Sequence, residues 1–140
     1  MIHARAFRCG ADMKPEEVRR KAVLANKGSF VQTADAGSAT NEFFVEMLAA
    51  QTLKAEETGS LLARKPEVDF LLRLAGTTQI SKAINERGAA EGRPFLLVVA
   101  GRRKPKGRGG LEGIELPRRG LTRAEMEKVE RAALLDAQRA

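Results

Sequence analysis

Phe95-Leu96-Leu97-Val98-Val99-Ala100 is the stretch on which the fold turns. Six consecutive apolar residues without alternation make a strand buried on both faces, not one with a wet side. The run is far too short to span a membrane. Working outward, Ser29 to Asp35 carries Phe30, Val31 and Thr33 and reads as a second strand, closed by the turn Ala36-Gly37-Ser38. Ile2 to Arg8 predicts a short edge strand, and Ile114 to Leu116 a short return strand. Val68, Phe70, Leu72 and Leu74 alternate with Glu67, Asp69, Leu71 and Arg73, and this period of two predicts a further strand, although the length alone also permits a helix.

Helices fill the intervals. Pro15 stands at a first helical position, Glu16 and Glu17 complement the dipole, and Gly28 ends the segment. Thr40 is the expected N-cap of a long helix reaching about Glu57, apolar enough to pack under a sheet. Gly76-Thr77-Thr78 opens a shorter one with Ile80, Ala83 and Ile84 on one face, closed by Gly88. The C-terminal helix, at about 122–139, is the best signalled. Thr122 and Glu125 form a capping box, Leu121 and Met126 are spaced as a hydrophobic staple, and Met126, Val129, Ala133 and Ala137 make an apolar stripe. The reading is one α/β domain over residues 1–140, with helices packed on a mixed β-sheet.

Composition narrows the function. The chain has 140 residues, 43% hydrophobic and 31% charged, with 25 basic residues against 18 acidic ones and a net charge of +7. One Cys (Cys9) leaves no means for an intrachain disulfide or a zinc-ligand cluster, and with one His (His3) a metal site or triad would have to be built without the usual residues. The expectation is a cytoplasmic protein with no membrane attachment, no cofactor, no metal and no catalytic residues. Positive charge gathers in a basic Gly-rich loop at about 101–113 and just beyond it. Arg102, Arg103, Lys104, Lys106, Arg108, Arg118 and Arg119 face only Glu112 and Glu115 between Gly101 and Arg119. The loop is either a solvated segment that aids solubility or an arm that neutralises phosphates. Its glycines do not match a dinucleotide fingerprint, because Glu112 stands where the third Gly belongs.

Leu74-Ala75-Gly76-Thr77-Thr78-Gln79-Ile80 is the more informative motif. A strand that ends at a Gly and gives way to a helix with two hydroxyl residues presents free N–H groups and a positive dipole end. That is either an anion site or an ordinary capped turn. The run Leu71-Leu72-Arg73-Leu74-Ala75-Gly76-Thr77-Thr78-Gln79-Ile80-Ser81-Lys82-Ala83-Ile84, followed by Gly88 and the strand at 95–99, resembles the small accessory subunit of the KEOPS (EKC) complex, the PRPK-binding-protein (TPRKB-like) family in its archaeal form. The likeness covers most of residues 2–100, and Gly-Thr-x-Gln-Ile is its specific part. The family usually carries a basic residue where this chain has Thr78, and often a His where it has Asn41 and Glu42. The basic loop has no counterpart in the resemblance.

The resemblance implies a non-catalytic subunit of the machinery that makes threonylcarbamoyladenosine beside the tRNA anticodon. Such a subunit binds the kinase/ATPase subunit, joins the threonylcarbamoyl-transferring subunit indirectly, and holds the single-stranded CCA end of tRNA. On this chain the CCA site would comprise Gly76 for close approach, Thr77 and Thr78 for hydroxyls, Gln79 for a base edge and Ile80 as support from below. Outside the resemblance, Arg73 and Lys82 lie near enough in sequence to meet phosphates, and the charge of the loop adds Arg102, Arg103 and Lys104 as expected phosphate contacts. Met126, Val129 and Ala133 are the expected kinase-facing residues, the other possibility being that this stripe packs on the protein's own sheet. The rival function is a stand-alone basic RNA-binding protein, for example a ribosome-associated one.

Overall fold

The computed structural model describes residues 2–105 and 113–139. The expected loop residues Lys106 and Arg108, with the glycines between them and Glu112, lie outside the described residues. Strand β3 (Phe95–Gly101) is the centre of the fold, and all seven of its residues are buried. It lies between β1 (His3–Cys9) and β2 (Phe30–Asp35), with Ala100 opposite both Ala4 and Phe30. A two-residue strand β4 (Ile114–Glu115) adds to the far side of β1, giving the order β2-β3-β1-β4. Every pairing is antiparallel, so the sheet is not the mixed one expected. Nor is β1 an edge strand. Its basic residues suggested solvent, but Arg5 is neutralised by Glu115 at 2.7 Å, and Ala4 and Ala6 are small enough to sit beneath a helix.

Both faces of β3 are covered, as an unbroken apolar strand requires. Phe95, Leu97 and Val99 meet Val18 and Ala22 of α1 (Pro15–Ala25), together with Cys9 of β1. Leu96, Val98 and Ala100 meet α2 (Glu42–Glu57) and α3 (Pro66–Ala75), whose Phe44, Leu48, Phe70 and Leu72 make the larger core. A short α4 (Ile80–Arg87) contributes Ala83 to that core. Helix α5 (Arg123–Arg139) lies over α2 and α3 as an outer layer. The fold is an α/β domain with one helix on one side of the sheet and two helical layers on the other.

Residues 66–75 form a helix, not the strand that alternation suggested. Pro66 at its first position and Glu67 and Asp69 in its first turn favour the helix, and Leu71 makes the apolar face too wide for a period of two. The cap of α2 is Asn41 and not Thr40, with Asn41 Oδ1 accepting from Phe43 N–H at 3.1 Å. Asn41 is fully buried and also ties the start of α5. Its Oδ1 accepts from Arg119 N–H, and its Nδ2 donates to the Arg119 carbonyl and to Glu125 Oε1. The capping box forms as expected, with Thr122 N–H donating to Glu125 Oε1 at 2.9 Å and Glu125 N–H to Thr122 Oγ1 at 3.1 Å. Met126 is 49% exposed while Leu121 packs on the core, so the box and Asn41, and not a staple, fix the helix start.

Two carboxyls at this junction are displaced in opposite directions. Burial lifts Glu42 above the ordinary value, and the Ala6 N–H bond and Arg5 offset only part of that. Burial also pushes Glu125 up, but bonds from Thr122 N–H, Arg119 and Asn41 outweigh it and hold the group below its ordinary value. The stabilisation from Glu125 is therefore complete above its unfolded pKa of about 4.5 and disappears as the pH falls through the lower folded value. Glu125→Gln is expected to cost about 1 kcal/mol at pH 7, and the gap to the parent should narrow below about pH 4.5 in urea titrations across pH.

Candidate nucleic-acid interface

The Gly76 corner joins two helices. Gly76 takes φ 71° and ψ 35°, the left-handed conformation that glycine adopts without strain. Its N–H donates to the Arg73 carbonyl at 3.3 Å and to that of Leu72 at 2.8 Å, while Thr77 N–H reaches the Leu72 carbonyl at 3.2 Å. This is a Schellman closure of α3. Thr77 Oγ1 then accepts from Gln79 N–H at 3.2 Å, and α4 begins one residue later. The corner leaves Thr78 and the Gln79 side chain exposed, above the first N–H groups of α4.

The structure sorts the expected site residues into distinct places. Gly76, Thr77, Thr78 and Gln79 form the corner itself, and Lys82 is exposed one turn along α4. Ile80 does not support the corner from below: it is 47% exposed, and with Ile84 it gives α4 an apolar outer face, while Ala83 is the residue turned into the core. Arg73 cannot meet a phosphate, because its side chain has no exposed surface. Nε and Nη2 donate to Asp69 at 2.7 and 3.1 Å, Nη1 donates to the Ala132 carbonyl, and both terminal nitrogens reach Asp136. Asp69 is held in turn by Thr52 Oγ1 at 2.6 Å and Leu62 N–H at 2.9 Å. Burial works against the Arg73 charge, and the bonds to Asp69 and Asp136 outweigh it, raising the guanidinium above its ordinary value.

The cation at the corner is one that the sequence did not single out. A Cβ added at Gly76 would lie 3.1 Å from Arg131 Nε and 3.4 Å from its Cδ and Cζ, so the Arg131 side chain of α5 rests over the glycine. Arg131 is exposed and has no ion-pair partner among the described residues. Its position follows from the docking of α5 on α3, which no local pattern announces. Neither a family model nor a curated protein matches this chain. Among the described residues no group of His, Cys, Asp and Glu could hold a metal, and no helix is long and apolar enough to cross a membrane.

The basic segment divides as well. Arg102 pairs with Glu57 at 2.6 Å, Arg118 pairs with Glu46 and lies over the Phe43 ring, and Arg119 pairs with Glu125 at 3.0 Å. Arg103 and Lys104 are exposed and have no such partner among the described residues. On α5 the buried face is Ala132 and Leu135, flanked by Val129, which packs against the core and whose carbonyl accepts from Gln51. The expected stripe therefore splits, with Val129 inward and Met126 and Ala133 exposed beside Leu134, which is 65% exposed.

Asp69→Ala would leave the buried Arg73 with Asp136 as its one carboxylate partner among the described residues and is expected to lower stability by about 3 kcal/mol. Asp69→Ala with Arg73→Met should recover much of that loss, as read from the midpoints of urea unfolding.

Proposed function

We propose that this chain is a non-catalytic, tRNA-binding accessory subunit of a KEOPS-type complex, one that docks on the kinase/ATPase subunit and takes up the single-stranded CCA end of tRNA. The observation that carries the reading is the Gly76–Ile80 corner. A left-handed glycine, an exposed Gln79, the N–H groups that open α4 and Arg131, which has no ion-pair partner among the described residues, meet at one surface point. Single-stranded ends are recognised by such sets of backbone donors, base-edge amides and cations, since unpaired bases splay out. With no Trp or Tyr in the chain, the exposed Ile80 and Ile84 supply the apolar surface against which a base can rest.

Met126 and Leu134 are the large apolar side chains that α5 leaves exposed, with Glu130 between them and Ala133 exposed toward α2, and stable interfaces have apolar residues at their centre. These exposed residues support docking of the kinase subunit on α5. Threonylcarbamoyl transfer belongs to the partner subunits, and this chain contributes position.

Arg131→Ala leaves the Gly76 backbone untouched and should weaken binding of intact tRNA about 5- to 10-fold, the loss expected for one charge-assisted contact. The same variant should bind tRNA lacking CCA as the parent does. Equal affinity of the parent for tRNA with and without CCA would remove the corner from the reading. Co-expression with the kinase subunit should give a stable complex, and its absence would favour the stand-alone RNA-binding protein.

A further inference from the structure

The chain leaves β3 at Gly101 with two arginines in succession, and their side chains go to different sides of the molecule. Arg102 turns to α2 and pairs with Glu57. Arg103 and Lys104 turn to the other side, where they line a cleft of about 180 Å3 with Leu24, Ala25, Asn26, Lys27 and Ser29 at the C-terminal end of α1. Three cations, Lys27, Arg103 and Lys104, thus surround one concavity, and among the described residues no carboxylate lines it.

The cleft is held by tight packing on both of its walls. A Cβ at Gly101 would lie 2.6 Å from Ser29 Oγ, so the exit of β3 is pressed against Ser29, and Pro105 is buried on the far side of the two cations. Asn26 is buried as well, its Nδ2 donating to the Ala22 carbonyl, and Ser29 N–H bonds to the Asn26 carbonyl at 3.1 Å. Lys27 and the Arg103–Lys104 pair therefore sit on anchored backbone. We infer that this cleft is a sequence-independent phosphate site for the backbone of single-stranded RNA, formed by Lys27, Arg103 and Lys104.

The concave arrangement favours RNA over a lipid surface. Cations set around a recess can each take one phosphodiester of a strand that runs through it, whereas a membrane needs its basic residues level with an exposed apolar plane. Ser29 adds a hydroxyl to the lining, and the exposed Leu24 offers an apolar edge to a ribose or base. The inference shares with the proposed function the premise that the protein binds RNA. It does not depend on the Gly76 corner or on the CCA end.

The experiment uses fluorescence anisotropy with an oligouridine of about twelve nucleotides, which has no CCA, over a series of salt concentrations. Lys27→Ala, Arg103→Ala and Lys104→Ala combined should weaken binding about tenfold at low salt. The slope of log affinity against log salt should shrink by about 2, at roughly 0.7 for each phosphate contact to a single strand. All three residues are exposed, so the variant is expected to fold, and its unfolding midpoint checks that it does. Arg64→Ala, Lys65→Ala and Arg93→Ala removes the same charge from exposed sites elsewhere and should change the slope by less than half as much. Equal loss in the two triple variants would mean that net charge alone attracts RNA and would overturn the site. So would an unchanged slope, or binding of the parent to phosphatidylserine vesicles without binding to oligouridine. Failure of CCA discrimination would leave this result standing, because the probe contains no CCA.

Discussion

The Arg73 guanidinium cannot leave its place between α3 and α5 without stranding the buried carboxylate of Asp69. That pair is the constraint on which the helical side of the protein depends. Asp69 reaches Thr52 on α2 and the backbone at Leu62, while Arg73 reaches the Ala132 carbonyl and Asp136 on α5. One charge pair thus sets the relative position of three helices and a loop. Charges in an apolar interior accept few geometries, because each needs its hydrogen bonds completed. Packing alone would let α5 slide, since Ala132 and Leu135 are its only fully buried apolar side chains among the described residues.

The basic residues are sorted by the same tertiary logic. In sequence, the segment from Gly101 to Arg119 is a concentration of positive charge. In the fold, Arg102, Arg118 and Arg119 each neutralise a glutamate of α2 or α5, and two of those pairs help hold the return from β4 across the start of α2. Arg103 and Lys104 are left over, and Lys27 joins them from a different part of the chain. Clustering in sequence therefore overstates the charge available for a ligand and misses one of its contributors.

What could be read in advance was whatever local chemistry decides. The run from Phe95 to Ala100 had to be buried on both faces, and Thr122 with Glu125 had to cap a helix, because neither depends on distant partners. The segment at 66–75 was misread because alternation over a few residues cannot be told from one wide helical face, and the Pro66 and Gly76 signals at its ends were the better guide. Arg73 stands close in sequence to the Gly76 turn, and that closeness is what suggests a phosphate contact. Its burial is settled by Asp69 four residues away and by Asp136 sixty-three residues away. The Gly76 turn was legible as a corner, but the cation above it was not, since Arg131 arrives only when α5 docks.

Helix α5 carries two surfaces at once. Arg131 faces the glycine corner, and Met126 and Leu134 face outward, all on a helix whose attachment is mostly polar. Under the proposed function, a partner that holds Met126 and Leu134 would keep the helix seated, and with it the guanidinium over Gly76. Linkage would make the effect reciprocal, so an RNA end bound at Arg131 would steady the outer face in return by the same free energy. Assembly and substrate uptake would then be one cooperative event, transmitted by the ordering of a single helix without any change of shape elsewhere.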